Sequence, residues 1–163
     1  MTHPLPARYS PAAGPAAEPV RALFLSFGVL IAAAAPASAA LGGLRISHPW
    51  IRAIMPSRPA AGYFTLANET AQARLLVGAA SPACGMLMLH RSENRNGQER
   101  MVMVKGITVP AHGQVEFAPG GYHLMCMSPS PEVTPGRSVP VTLRFRDGGT
   151  ITARFPVRGA TGK

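Results

Sequence analysis

The sequence predicts an all-β domain, an antiparallel β-sandwich, and three observations support this. Short apolar segments rich in Val, Ile, Leu and Phe alternate with clusters of Gly and Pro. Beyond residue 40, no segment has the long amphipathic periodicity of a helix. The chain contains 17 Gly and 17 Pro, which suits many turns between short strands. Short strands at this spacing favour a two-layer sandwich.

The predicted strands follow one another along a single domain. Each is rich in β-branched, aliphatic or aromatic residues and is bounded by turn formers. In chain order the segments cover residues 44–46, 50–54, 62–67, 74–80, 86–90, 101–104, 107–109, 115–117, 121–127, 139–146 and 150–157. The first two form a strand pair or one bent strand. Residues 91–98 are hydrophilic and are interpreted as a hairpin loop, in which Asn96-Gly97 is a preferred turn pair.

An export leader is predicted before this domain. Arg21 precedes an apolar run over residues 22–35, and residues 37–39 form the Ala-x-Ala pattern read by signal peptidase. The run is shorter than the roughly 20 residues that span a bilayer, although an uncleaved N-terminal anchor is the alternative. We therefore predict a signal peptide with a long n-region at residues 1–39, a single domain at 40–163, and a periplasmic location.

The basic charge does not indicate a nucleic-acid-binding protein. The formal net charge is +9, but the arginines are scattered along the chain without an aromatic-interleaved patch. An exported protein also rarely meets nucleic acid. We interpret the charge as a solvated basic surface that suits an acidic docking partner. Carboxylates are not paired near the histidines, and no Gly-x-Ser-x-Gly motif occurs, so no enzyme is predicted.

The two cysteines leave two possibilities. An oxidising compartment favours a disulfide between Cys84 and Cys126. However, strand alternation turns Cys126 to the opposite face from His123 and Met125. On this ground we favour two buried thiols over a disulfide.

Two histidines and a methionine cluster form the candidate site. Six of the eight methionines lie between residues 86 and 127, together with His90 and His123. The hairpin should bring His90 near Met101, and Met125 should share a face with His123. Imidazole and thioether donors favour Cu(I) over Zn(II). Each residue alone is more often a surface histidine or a core methionine, so the hypothesis depends on their joint spacing.

The spacing of these four residues resembles the H-x10-M-x21-H-x-M signature of the periplasmic copper chaperones called PCuAC. The resemblance extends over nearly all of residues 45–157. It is carried by the segments Pro-Trp-Ile-Arg-Ala at 49–53, Ala-Ala-Gly-Tyr-Phe at 60–64 with Asn68, Val-Pro-Ala-His-Gly at 109–113, Pro-Gly-Gly-Tyr-His-Leu-Met at 119–125, and Pro-Val-Thr-Leu-Arg-Phe at 140–145 with Gly149.

This resemblance implies a cupredoxin-like Greek-key sandwich that binds a single Cu(I) ion. His90, Met101, His123 and Met125 inherit the ligand roles by position. It further implies delivery of copper to the CuA centre of cytochrome c oxidase, either at subunit II or through a partner chaperone. Such a carrier would be a monomer that contacts the membrane surface only transiently, through its partner. No ligand role is implied for His112, which sits in a turn, or for His48, which precedes Pro49, and we expect both to be exposed.

The chain departs from the family pattern in two places. Met88 stands where the family usually has an acidic residue two positions before the first histidine. Met88 and Met103 are interpreted as core residues, with occasional contact to the metal as the alternative. The C-terminal residues 158–163 contain neither His nor Met, so the second copper site of some relatives is not expected. Two other functions remain open: a structural or adhesive sandwich without metal, and an electron carrier in which Cys126 is a ligand.

Overall fold

The computed structural model describes Met1 and residues 39–162, and in these residues the protein is all-β. Its strands are β1 Ala39–Leu41, β2 Leu44–Arg52, β3 Ala60–Asn68, β4 Arg74–Ala80, β5 Cys84–Arg95, β6 Gln98–Met103, β7 Ile107–Val109, β8 Gly113–Phe117, β9 Tyr122–Pro129, β10 Ser138–Phe145 and β11 Thr150–Arg158. None of the described segments is a helix that could cross a membrane. Apart from its two end residues, the leader predicted at 1–39 lies outside the described residues.

The strands form two layers that share β11. One layer has the order β6-β5-β9-β8-β3-β2, with β1 beside β2, and the other has the order β11-β10-β4-β7. Strand β11 pairs along its length with β10 and at its last residues with β2. The predicted cupredoxin-like sandwich is confirmed. The β11–β2 and β8–β9 pairings are parallel, so the arrangement is antiparallel everywhere except at these two short contacts.

The core lies between the layers and is built from the inward-facing residues of each strand. Phe64 of β3 stacks on Phe117 of β8, with ring centroids 4.1 Å apart. Phe155 of β11 meets the Phe64 ring edge-on at 5.6 Å. These three buried rings join both layers, and aromatic pairs of this kind stabilise a core by about 0.5–1.5 kcal/mol beyond the area that they bury.

Strand β2 is one bent strand, which was one of the two predicted possibilities. Its register to β3 shifts between Ser47 and Trp50. His48 lies in this irregularity with a positive φ of 52°. The bend separates an early segment that pairs with the end of β3 from a later segment that carries Trp50 and Arg52 beside the start of β3.

The hairpin β5–β6 is longer than predicted. The predicted loop at 91–98 is wrong, because pairing continues from His90–Met103 to Arg95–Gln98 and only Asn96 and Gly97 form the turn. Both turn residues have positive φ, 54° and 81°, as a type I′ turn requires. Residues 94–100 are exposed, so this part of the hairpin has no buried face and its polar composition is compatible with strand.

Cys84 and Cys126 form a disulfide, so the prediction of two buried thiols is wrong. Their Cα atoms are 5.4 Å apart across neighbouring strands β5 and β9. Cys126 does point into the core, as predicted, and is 1% exposed. The backbone departs from a regular pleat nearby, since Ser128 has a φ of 47°, and Cys84 packs against the core instead of projecting on the side of Met86.

Candidate metal site

The candidate residues lie on the outer face of the sheet formed by β6, β5 and β9. His90 of β5 is directly opposite His123 of β9 on one side and Met103 of β6 on the other. Directly opposed residues of an antiparallel pair project to the same face. The inner face of the same strands carries buried residues such as Leu89 and Leu124.

The two histidines are oriented as a pair. Their ring centroids are 5.8 Å apart, and the ring planes meet at 67°. The Nδ1 atom of His123 lies 3.1 Å from the carbonyl oxygen of Gly121. Because a carbonyl oxygen only accepts, Nδ1 carries the proton in the neutral ring, and Nε2 is left with its lone pair free. A hydrogen bond of this kind fixes the tautomer and ring orientation of metal-binding histidines.

Both rings hold a buried nitrogen without a partner. His123 Nε2 and His90 Nδ1 have no hydrogen bond and almost no exposed surface. A buried polar atom without a partner costs about 1–3 kcal/mol, so an unrelieved pair on neighbouring strands would be expensive. An ion bound by both lone pairs would remove this cost. The residues present therefore fit a metal ion.

The protonation state of His90 also suits a ligand. Burial lowers the pKa of His90 below its ordinary value, and the charge of His123 lowers it further. The imidazole is consequently neutral at neutral pH. Metal binding requires this neutral form.

The methionines occupy neighbouring positions on the same face. Met125 pairs with Met88, one step along the face from the histidine pair. Met101 pairs with Ser92, one step away in the other direction, and so lies diagonal to His90. The structure thus brings all four predicted residues to one face, but the thioether directly opposite His90 belongs to Met103.

The interpretation of Met103 as a core residue is wrong, because its side chain is 63% exposed. The buried core of the described residues contains no methionine. Sequence reasoning underestimated these exposed thioethers because methionine in a strand is normally a core filler. The alternation of Met86, Met88 and His90 along β5 was the available signal, since it placed all three on one face.

An aromatic wall flanks the site on the β3 side. Ala61 of β3 pairs with Met125, and Tyr63 follows two residues later on the same face. Arg52 donates a hydrogen bond to the Tyr63 hydroxyl at 3.0 Å, and Trp50 packs on the Tyr63 ring at 4.8 Å. Burial raises the pKa of Tyr63, while the charge of Arg52 opposes this shift. Tyr63 therefore remains protonated and acts as a rigid boundary.

Within the described residues, no three side chains of His, Cys, Asp or Glu lie together as a metal-binding group. His48 and His112 are exposed, as predicted, and both have a positive φ. An ion held by His90 and His123 would need thioethers to complete its protein ligands.

The fold and this face define a small cupredoxin-like domain with a histidine and methionine cluster at its surface. A family model described as "LpqE-like: Putative lipoprotein LpqE-like" matches residues 44–157. The chain belongs to the LpqE-like family. It is similar to "Putative lipoprotein Lxx21020" of Leifsonia xyli, with 35% identity over 74% of this chain and 72% of the relative.

Solved structures of PCuAC domains share the fold, as the sequence resemblance implied. One is the "Copper-bound PCuAC domain from PmoF2", with a TM-score of 0.63 and 25% identity over 75% of this chain and 97% of that domain. Another is CuI-DR1885 from Deinococcus radiodurans, with a TM-score of 0.56 and 34% identity over 68% of this chain and 74% of that protein. Both neighbours are copper-bound forms.

Proposed function

We propose that this protein is an exported Cu(I) carrier that binds copper at the His90–His123 pair and passes it to a partner. The observation that carries the proposal is the pair of buried, unpartnered ring nitrogens on a methionine face. Neutral imidazole and thioether donors are a soft set that suits Cu(I). The copper-bound PCuAC neighbours and the lipoprotein relative support the cargo and the export.

In this proposal His90, Met101, His123 and Met125 hold a single Cu(I) ion. The two histidines supply the fixed part of the site, because His123 is 3% exposed and its ring is held by Gly121. The methionines supply flexible donors, since a thioether side chain has three rotatable bonds. A rigid pair with mobile neutral partners can hold the ion and still release it to a stronger site.

The proposed acceptor is the CuA centre of cytochrome c oxidase or a chaperone that serves it. The resemblance to PCuAC domains is the support for this destination. The chain is basic, so an acidic acceptor surface would favour encounter. The carrier would act without catalytic turnover, in the periplasm, after removal of the leader at 1–39.

The alternative function is a copper electron carrier, but the chain has no free thiolate for the copper site of such a protein. A blue-copper site uses a cysteine thiolate with two histidines. Both cysteines of the chain are joined in the Cys84–Cys126 disulfide. The absence of an intense visible band after addition of Cu(II) to the oxidised protein would agree with the carrier, and such a band would contradict it.

The experiment that tests the ligands is a metal titration of the purified, oxidised chain. Ag(I) is used beside Cu(I), because Ag(I) needs no reductant that could open the disulfide and expose two thiolates. The variant His123→Ala should lose the tightest equivalent of metal. The control His112→Asn changes an exposed histidine whose positive φ of 49° suits Asn, and should bind like the parent. Unchanged tight binding by His123→Ala would contradict the proposal.

The destination needs a separate measurement. The Cu(I)-loaded chain is mixed with the soluble CuA domain of an oxidase subunit II, and copper is measured in each protein after separation. The parent should transfer all of its copper within the incubation. In the control, an equal amount of Cu(I) is added with a chelator and without the carrier, and less copper should reach the CuA domain. Retention of all copper by the carrier would exclude this acceptor.

A further inference from the structure

A block of four methionines lies next to the histidine pair, and three of its members have no role in the site proposed above. Met88 lies directly opposite Met125, and Met86 lies directly opposite Met127, on the outer face of β5 and β9. The two pairs are consecutive on that face, so the four side chains occupy adjoining positions. Cβ atoms of directly opposed residues are about 4.5–5.5 Å apart, within reach of a common ion for flexible thioethers.

Packing does not account for this block. Met86 is 57% exposed and Met127 is 37% exposed, and neither belongs to the buried core. Outward positions of a sandwich strand usually carry polar residues. Four thioethers at such positions present a neutral, polarisable surface with no carboxylate among them.

We propose that Met86, Met88 and Met127 form a second site for a soft monovalent ion, with Met125 between this site and the histidine pair. Three neutral sulfur donors select Cu(I) or Ag(I) over harder ions. A cationic group lies on the β3 side of the block and strengthens this selection: Arg52 pairs with Ala61, the β3 neighbour of Met125. A divalent ion would be repelled more strongly than a monovalent one at this place.

The second site should be weaker than the first. It lacks imidazole donors, and its outer members are exposed, so binding must immobilise flexible side chains. Its adjacency to the first site means that an ion can be held at the protein surface one residue pair away from the histidines. This inference goes beyond the proposed carrier function and does not require that copper be delivered to any particular acceptor.

The test is an Ag(I) titration of the purified, oxidised chain. Calorimetry measures the affinities, and NMR of the methionine methyl groups identifies the residues that respond. The parent should bind two equivalents with distinct affinities, and the Met86 and Met127 methyl signals should move with the second. The double variant Met86→Leu/Met127→Leu keeps apolar volume and should weaken only the second equivalent, by about tenfold or more. Met55→Leu, at an exposed methionine outside this face, should change neither equivalent.

The two proposals fail in distinguishable ways. His123→Ala should lose the tighter equivalent and keep the weaker one, with the Met86 and Met127 signals still responding. Binding of a single equivalent by the parent, or two unchanged equivalents in Met86→Leu/Met127→Leu, would overturn the second site while leaving the first intact. Thermal unfolding of each variant checks that the fold is retained, since a leucine at an exposed strand position is expected to be tolerated.

Discussion

The inner and outer faces of strands β5 and β9 have opposite chemistry, although the same two strands form both faces. The inner face carries Leu87, Leu89 and Leu124, which are at most 8% exposed and pack in the core. The outer face carries histidines and methionines, with no buried aliphatic side chain. Because successive side chains alternate between faces, a strand can use one set of positions for stability and the other for a ligand site. The two sets should therefore respond differently to substitution.

The largest expected effect follows a change on the inner face. Leu124→Ala should lower the free energy of unfolding by about 2–5 kcal/mol, because Leu124 is fully buried and leaves a cavity. Urea denaturation measures this loss. The neighbouring change Met125→Leu, on the outer face, should stay within about 0.5 kcal/mol of the parent. Equal losses for both would show that the faces are not independent.

The disulfide, on the inner face, is expected to make the next largest contribution to the free energy of unfolding. The double variant Cys84→Ala/Cys126→Ala should be less stable by about 2–4 kcal/mol, since the bond closes a loop with a sequence separation of 42. Urea midpoints of the parent with and without a strong reductant should differ in the same direction. The tight Ag(I) equivalent should persist in the variant. Its loss would mean that sulfur of these cysteines, and not the outer face, holds the metal.

A smaller effect is expected at the hairpin turn that positions β6. Gly97 has a φ of 81° with open space around its Cβ position, so Gly97→Ala should cost only the backbone strain, about 1–2 kcal/mol. Because the variant hairpin is less stable, hydrogen exchange of the β6 amides should be faster than in the parent. Asn96→Gly is the control, because glycine adopts the positive φ of that position freely. Unchanged exchange in Gly97→Ala would contradict the type I′ turn.

The smallest effect on stability, and the sharpest test of the outer face, comes from Met101→Leu and Met103→Leu. Both side chains are more than 60% exposed, at 64% and 63%, so stability should change by less than about 0.5 kcal/mol. Their metal affinities should differ: loss of tight Ag(I) binding in Met101→Leu alone supports the ligand set of the PCuAC signature. Loss in Met103→Leu alone would assign the role to the residue opposite His90.

The sequence allowed prediction of the sandwich and of the common face of His90, His123 and Met125. Both depend on local rules, namely strand alternation and turn chemistry, which the Asn96-Gly97 turn also followed. The neighbours across strands could not be predicted, because register is set by pairing over long separations. That is why Met103, and not Met101, was found opposite His90, and why the extent of the β5–β6 hairpin was underestimated.

The disulfide was missed for a similar reason. Strand alternation correctly directed Cys126 inward, but it could not place Cys84, whose neighbourhood departs from a regular pleat near Ser128. Two cysteines 42 residues apart give no indication of distance in the fold. The aromatic wall of Trp50 and Tyr63 was likewise visible only once β2 and β3 were paired.

Strand β6 is hydrogen-bonded on one side only, since it stands at the end of the strand order. Detaching it breaks hydrogen bonds to β5 alone, whereas detaching β9 would break its pairing with β5, β8 and β3. Fraying of an edge hairpin needs far less free energy than opening of a central strand. In the proposed carrier the donor on β6 would therefore have the shortest lifetime at the metal. An incoming acceptor could replace that donor first, while the central strand keeps the ion on the protein until the exchange is complete.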